Sequence, residues 1–444
     1  APTMINPPGN YMLEAVTDSA CIGNTNIIAI ANNYTMAQKI GERAFANCSN
    51  LIQAFLAVDS IMVDAFQNCT KLATLKLYKG NESGAGPNSV VYIGNYAFTN
   101  TGLTTVNIPS SCRKVGLAPF YWCRNMTSIT VDSDNENYAG FNGCLYSKDY
   151  THLVEVPAAW TYVDTQYGFD GHLIFIDEYA AAGNYKIVTL TLPYGVRTVG
   201  ARSFEDCSSI MKVRLPSSVT TLSPYAFRGC TNVTYFYANM PSPLYLPTYL
   251  FTSSRAAEIK LYVPHDSFSA YKSANYWSYF NLQTGELDHL EVWDFKDSDD
   301  YYWTVIDNNA HYTANNDYVN GNARLVRGKT TTTLPVSFIG ISYRCYEPVE
   351  IGRSAFEGLS APISMTVSNG DPIKRIKERA FYGTSLKNFT FTNVEEIGDS
   401  AFMNTTNLSI SLSLNNLKTV GMRAFSNSSI KSLTTGAALN SIGK

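Results

Sequence analysis

The chain has 444 residues, 16% of them charged, with a formal net charge of −3. That length exceeds what one compact core holds, so several domains or an elongated array is expected, and the near-neutral balance leaves no basic field to draw in nucleic acid. No apolar run reaches the roughly 18 residues of a membrane span, and nine cysteines without a CxxC pair argue against a disulfide framework or a zinc site.

Residues 1–34 are weakly patterned, with one strand-like run at Ile27, Ile28 and Ile30, and read as an N-terminal cap. From Ile40-Gly41 onward a short unit recurs, its phenylalanines mostly 21 to 25 residues apart. The first unit places Ala44-Phe45, Cys48 and Leu51. The second places Ile61, Ala65-Phe66, Cys69, Leu72 and the alternating Leu75-Lys76-Leu77; Phe98 and Phe120 mark the next two. Residues 132–158 break the period: 144–146 and 153–156, joined by 148–151, read as a hairpin ending at Pro157. The unit returns with Ala181 where Phe is expected, then in full at Phe204 and Phe227, and degenerate at Phe251. Residues 267–280 carry Phe268, Tyr271, Trp277 and Phe280 at partly helical spacing, which reads as a lid over the end of the stack. Residues 283–347 have no repeat but hold an acidic, aromatic patch at 294–303, an Asn-rich stretch and two strand-like runs. A second array then carries Phe356, Phe381, Phe402 and Phe425. The expected divisions are a cap (1–34), a first array with an aromatic C-terminal cap (35–282), a non-repeat β-rich linker (283–347) and a second array (348–444).

An alternating Leu-x-Leu puts two apolar side chains on one face of a strand and the residue between them on the other. One such strand per unit is too sparse for hairpins and suits a solenoid, where strands of successive coils stack in parallel at about 4.8 Å. The Phe and Ile/Val columns then come from the return side of each coil and fill the interior. Two positions after Phe stands a small or turn-prone residue, such as Asn47, Asn68, Asp206, Gly229 or Gly383, suited to a left-handed residue ending a short helical turn. Cys48, Cys69, Cys123, Cys207 and Cys230 form a column of buried spacers, expected to be free thiols because side chains of one column point the same way. The fold class is therefore an α/β-type repeat solenoid: short parallel strands on one face, short helical turns and loops on the other, in two arrays with β-rich caps.

The motif I[G]xxAFxxCxxLxxLxLP, the insertion NxxYxxxxGCLYSKDxTxLxxxP at 135–157 and the cap LYVPxxxxxAYKxAxxWxxF at 261–280 resemble the BspA-like leucine-rich repeats. The likeness covers about 35–282 and 348–444; it lapses at Ala181 and in 283–322. It implies a secreted or surface-displayed protein of a Bacteroidetes-type bacterium, anchored, where lipidated, outside this sequence. The implied role is adhesion to host matrix proteins or neighbouring cells. It carries over no catalytic residues and no cofactor.

The residues themselves give catalysis no support. His152, His172, His265, His289 and His311 are scattered, with no HExxH. Asp132, Asp134 and Glu136 alternate as calcium ligands do but lack the bidentate Glu. Asp294, Asp297, Asp299 and Asp300 read as a solvated acidic loop. No metal, cofactor or enzyme activity is expected. The surface that can bind is the outward face of the strands. There the pairs Thr105/Asn107, Ser128/Thr130 and Thr189/Thr191 are small and neutral, as are Ser364/Thr366, Asn388/Thr390 and Ser409/Ser411 in the second array. Lys212/Arg214, Tyr235/Tyr237 and Lys260/Tyr262 are instead basic and aromatic, the mixture enriched in protein-binding hot spots. These six residues are the expected docking site, on an open face of a monomer. The partner is an extracellular protein or, in the rival reading of a nutrient-capture component, a glycan.

Overall fold

The structure, a computed structural model, describes residues 3–5, 15–31, 38–78, 89–161, 168–285, 287–297, 301–308, 311–312, 318–319, 321–328, 333–334, 338–339, 345–360, 363–367 and 371–444. Each Leu-x-Leu segment is a short strand, in most with alternating burial: in Thr105–Ile108, Val106 and Ile108 are buried while Thr105 and Asn107 face solvent. Each pairs in parallel with its counterpart one coil on. The runs are Ile27–Ala31, Gln53–Leu56 and Thr74–Leu77; Thr105–Ile108 and Ser128–Val131; and Thr189–Thr191, Lys212–Leu215, Tyr235–Ala238, Lys260–Tyr262 and Asn281–Leu282. In the second array Ser411–Leu414 pairs with Ser432–Thr435, so the outward pair there is Ser411/Ser413, one step beyond Ser409/Ser411. Leu412 and Leu414 are the residues that fill the core.

A second parallel ladder runs through the Ile-Gly positions, joining Lys39–Ile40, Ser60–Ile61, Tyr92–Ile93 and Lys114–Val115. The glycine that follows has a steric cause. A Cβ on Gly94 would lie 2.6 Å from the Met62 carbonyl carbon of the preceding coil.

Apart from the short helix Ser253–Ala256 that follows Phe251, the return side is turn and not helix. Most coils turn through two left-handed residues four apart, such as Arg43/Asn47, Asp64/Asn68, Arg202/Asp206 and Arg379/Gly383. Alternate amides divide between two acceptors. Phe45 and Asn47 donate to Ala65 and Gln67 of the next coil at 2.8 and 2.7 Å, whereas Ala46 and Cys48 bond back to Arg43 and Phe45. A helix would use all of them internally; here half of them knit coil to coil.

Inside, the phenylalanines stack face to face. Ring centroids are 5.3, 5.1 and 5.6 Å apart from Phe45 through Phe66 and Phe98 to Phe120, and 5.0, 5.2 and 5.2 Å apart from Phe356 through Phe381 and Phe402 to Phe425. Phe204 and Phe227 continue the pattern at 5.4 Å. All these rings are buried except Phe425, which sits on the last full coil and is half-buried. Each buried ring contributes about 1.5–3 kcal/mol. The cysteine column binds across coils too: the thiols of Cys69, Cys123, Cys207 and Cys230 donate to the carbonyls of Phe45, Phe98, Ala181 and Phe204 at 3.0–3.1 Å. All nine cysteines are free thiols.

The repeat pattern hides where the stack begins and divides. Residues 15–31 already form a coil: Ala15–Val16 pairs with Lys39–Ile40, Ser19 and Gly23 are left-handed, and the amide of Cys21 bonds forward as a column Phe does. The interior separates into three clusters, broken near the hairpin insertion and again at the linker. In the insertion Tyr138–Phe141, Cys144–Ser147 and His152–Glu155 run antiparallel, and the last passes the ladder in parallel to Phe175–Ile176. In the linker Phe295–Lys296, Tyr302–Asp307 and Asn322–Arg327 do the same, handing on to Cys345–Ile351 and then Arg375–Ile376. Between these breaks the lid closes the first array: Tyr271 and Trp277 are buried, and the Trp277 ring lies 6.1 Å from Phe236. No helix of the described residues is long and apolar enough to cross a membrane.

Candidate functional site

The parallel register brings the six expected residues together in two rows. Lys212, Tyr235 and Lys260 are directly paired across three strands, as are Arg214, Tyr237 and Tyr262. In the first row the Lys212 and Lys260 ammonium groups lie 5.4 and 5.6 Å from the Tyr235 ring centroid. Both lysines are exposed and Tyr235 is half-buried, so this row is open to a partner.

The second row differs from expectation. The Arg214 guanidinium is sandwiched between the rings of Tyr237, at 3.7 Å, and Trp293 of the linker, at 4.8 Å. It donates to the Glu291 carbonyl at 2.5 Å and lies 3.6 Å from the Glu291 carboxylate. Tyr237 is buried, at 6% exposure. Burial pulls the Arg214 guanidinium below its ordinary value against the opposing pull of Tyr237 and Glu291, and pushes the Tyr237 phenol up to about 12. A cation between two aromatic faces is held by the ring quadrupoles. Arg214 and Tyr237 therefore clasp the linker and are not part of an open face.

The acidic patch of the linker completes that clasp and is not a solvated loop. Asp294 is 1% exposed and accepts from the Ser217 amide (2.6 Å) and hydroxyl (2.7 Å), the Asn239 side chain (2.7 Å) and the Val305 amide (2.8 Å). Burial raises its pKa, opposed by those four bonds. Asp297 accepts from the Tyr301 amide and the Trp303 indole within the linker. Asp299 and Asp300 lie outside the described residues. Beside this contact, a groove of about 630 Å³ runs between the strand ends of the first array and the linker sheet, lined by Arg197, Asn239, His265, Asp307 and Arg324 among others.

Of the remaining candidates, Asp132 caps the neighbouring turn, accepting from Asn107 and the Ser110 amide. His152 pairs with Asp177 at 2.8 Å and His172 with Asp170 at 2.8 Å. No cluster of three or more His, Cys, Asp or Glu placed to hold a metal ion occurs among the described residues.

The family model of the BspA type leucine-rich repeat region matches residues 14–85, 81–167, 165–275 and 341–444. This chain belongs to the BspA-type leucine-rich repeat family. The match starts at the coil that the sequence motif misses and resumes just ahead of the second array. A leucine-rich cell surface protein of Faecalibacterium prausnitzii A2-165 is 19% identical over 61% of this chain and 77% of its own, with a TM-score of 0.42. The pneumococcal vaccine antigen PcpA is 16% identical over 95% and 78%, at 0.40. A leucine-rich repeat protein of Eubacterium ventriosum is 16% identical over 91% and 84%, at 0.39. No curated protein matches the chain.

One feature of this BspA-type chain escapes strand-face reasoning, because it lies on the turn face. The left-handed position two residues before the Phe column, occupied here by Phe98, Ala181 and Phe227, holds Tyr96, Tyr179 and Tyr225 in three coils. Tyr96, Tyr121 and Tyr179 meet edge to face with centroids 5.9–6.4 Å apart, and Arg202 lies 5.7 and 5.1 Å from the rings of Tyr179 and Tyr225. The available signal was the residue type: nothing in the turn itself asks for tyrosine there.

Proposed function

We propose that the chain is a secreted or surface-displayed adhesion protein, monomeric, that docks an extracellular matrix or cell-surface protein on the outer strand face of its first array. The contact centres on Lys212, Tyr235 and Lys260, with Tyr262 at its border. The observation that supports this is the open row itself: two exposed ammonium groups flank one tyrosine ring, where other coils offer Thr, Ser and Asn. Arg214 and Tyr237 serve as the fixed backing of that row. Family membership supports a binding role.

The test is surface plasmon resonance against immobilised fibronectin, fibrinogen, laminin and collagen. One of them should bind, and the Lys212→Ala/Tyr235→Ala/Lys260→Ala triple variant should lose roughly 30-fold or more, the equivalent of one hot spot worth about 2 kcal/mol. Its melting temperature should stay within a degree or so of the parent's. Undiminished binding by the variant would remove this face from the proposal. The glycan reading draws its support from the turn-face tyrosines instead.

A further inference from the structure

A cleft of about 460 Å³ opens on the turn face of the first array, where the coils before and after the hairpin insertion meet. Its aromatic wall is the Tyr96, Tyr121 and Tyr179 trio, and its polar rim includes Asp64, Gln67 and Asp206. Three rings at mutually steep angles, 65°, 87° and 70°, leave faces and edges pointing in different directions. With centroids about 6 Å apart the trio packs on itself, so it is a platform and not a box able to enclose a cation.

The turn backbone does not account for these residues. In most coils it requires a positive φ two positions before the Phe column, a need met elsewhere by Asp64, Ala118, Ser354, Ser400 and several arginines. Tyr96, Tyr179 and Tyr225 stand there at φ 55°, 60° and 61°, a conformation rare for bulky side chains. In the next coil Tyr249, also two positions before its Phe, extends the line and is 48% exposed; Tyr225 is 40% exposed. Tyr225 lies next to that coil, its amide bonding the Thr248 hydroxyl at 3.3 Å. From Tyr96 to Tyr249 the row crosses five coil steps, roughly 24 Å at about 4.8 Å each. The second array has no tyrosine at this position.

Within the cleft, the Thr99 hydroxyl is buried and has no hydrogen-bond partner. Such a group calls for a ligand hydroxyl or a water. Asp64, Glu205 and Asp206 outnumber Arg202, which is itself paired with Glu205 at 3.0 Å, so the cleft favours neutral over anionic ligands. An aromatic face offers a flat apolar surface, and carboxylates and a carboxamide accept paired hydroxyl donors. The ligand that presents flat C–H faces, many hydroxyls and no negative charge along an extended line is a neutral polysaccharide.

We infer that the turn face of the first array binds a neutral linear saccharide, seated in the Tyr96–Tyr121–Tyr179 cleft and running along the tyrosine row toward Tyr249. This site is separate from the strand-face docking surface and does not depend on it.

The test is isothermal titration calorimetry of the full chain with hexasaccharides of β-1,4-glucose, α-1,4-glucose, β-1,4-mannose and β-1,4-xylose, with an α-1,4-galacturonate hexamer as the acidic control. At least one neutral hexamer should bind, at least tenfold tighter than its trimer, and the galacturonate should not. Tyr121→Ala should weaken that binding at least tenfold. Tyr225→Ala, an exposed substitution that guards against misfolding as the cause, should weaken the hexamer more than the trimer. The Lys212→Ala/Tyr235→Ala/Lys260→Ala variant should bind sugar as the parent does. Silence from all four neutral hexamers, equal binding of the acidic one, or indifference to both tyrosine changes would each overturn the inference.

Discussion

Both interruptions of the stack, the hairpin at 138–155 and the linker sheet at 295–327, lay antiparallel strands beside the Ile-Gly ladder and then pass it on in parallel. Both also bury a carboxylate near the break. They differ in how that carboxylate is served. Asp294 at the linker receives four hydrogen bonds from two sides of the junction. Glu155 at the hairpin is 4% exposed, has the Phe120 amide as its one backbone donor, and leaves Oε2 buried without a partner. A buried acid that collects donors from both sides acts as a fastener, whereas one left half-satisfied opposes folding. The linker junction is thus built to hold, and the hairpin seam is tolerated.

The largest effect should come from Asp294→Ala. It strands the Ser217 and Val305 amides at a dry junction, each worth about 1–3 kcal/mol, so urea unfolding should show a loss of about 3 kcal/mol. An unchanged midpoint would mean the junction is not held there. Next, Ala181→Phe restores the repeat consensus at the hairpin seam. Ala181 is fully buried, and Gly183 beside it already packs against Trp122, so the extra ring has no room. The expectation is a loss of about 1–3 kcal/mol by overpacking; a rise in melting temperature would reveal a ring-sized void and reverse the account of the seam.

The smallest effect has the most diagnostic sign. Burial holds the Glu155 carboxyl well above its ordinary value near 4.5. Between those two values the folded protein keeps a proton that the unfolded chain releases, so its contribution is whole below about pH 4.5 and is lost as pH rises through the folded value. Glu155→Gln should therefore stabilise the protein at pH 7.5, read as a higher urea midpoint, with the gain shrinking toward pH 4.5. Destabilisation at pH 7.5 would show that the charged form is bound by something at the seam.

Much of the fold was readable because it repeats. Phe45, Phe66 and Phe98 recur in phase with Leu-x-Leu, and physics admits few ways to bury such a column. The Ile-Gly ladder was not readable as strand, since two residues such as Ser60–Ile61 are too short to display alternation. The return turns were misjudged as helical because Asn, Asp or Gly recurs mainly at their second left-handed position; the first mostly carries residues such as Arg43, Tyr96 or Arg202, types that give no general turn signal. The candidate surface was half legible. Register alone assembled the row Lys212, Tyr235 and Lys260, but the contact that covers Arg214 comes from Glu291 and Trp293, in a segment with no period to phase it. Asp294 looked solvated for the same reason: its four donors are supplied by residues 217, 239 and 305.

The burial of the cysteines bears on how long such a chain would keep its chemistry intact in oxidising surroundings. Oxidants and disulfide exchange act on thiolates that they can reach. Burial lifts Cys112, Cys123 and Cys230 to about 12, and pushes Cys144 and Cys207 up as well, while the folded coils shut solvent away from all five. For these five positions, folding itself is the antioxidant: once the coils have closed, scrambling or over-oxidation must wait for local opening, and its rate becomes a clock for how often the stack breathes.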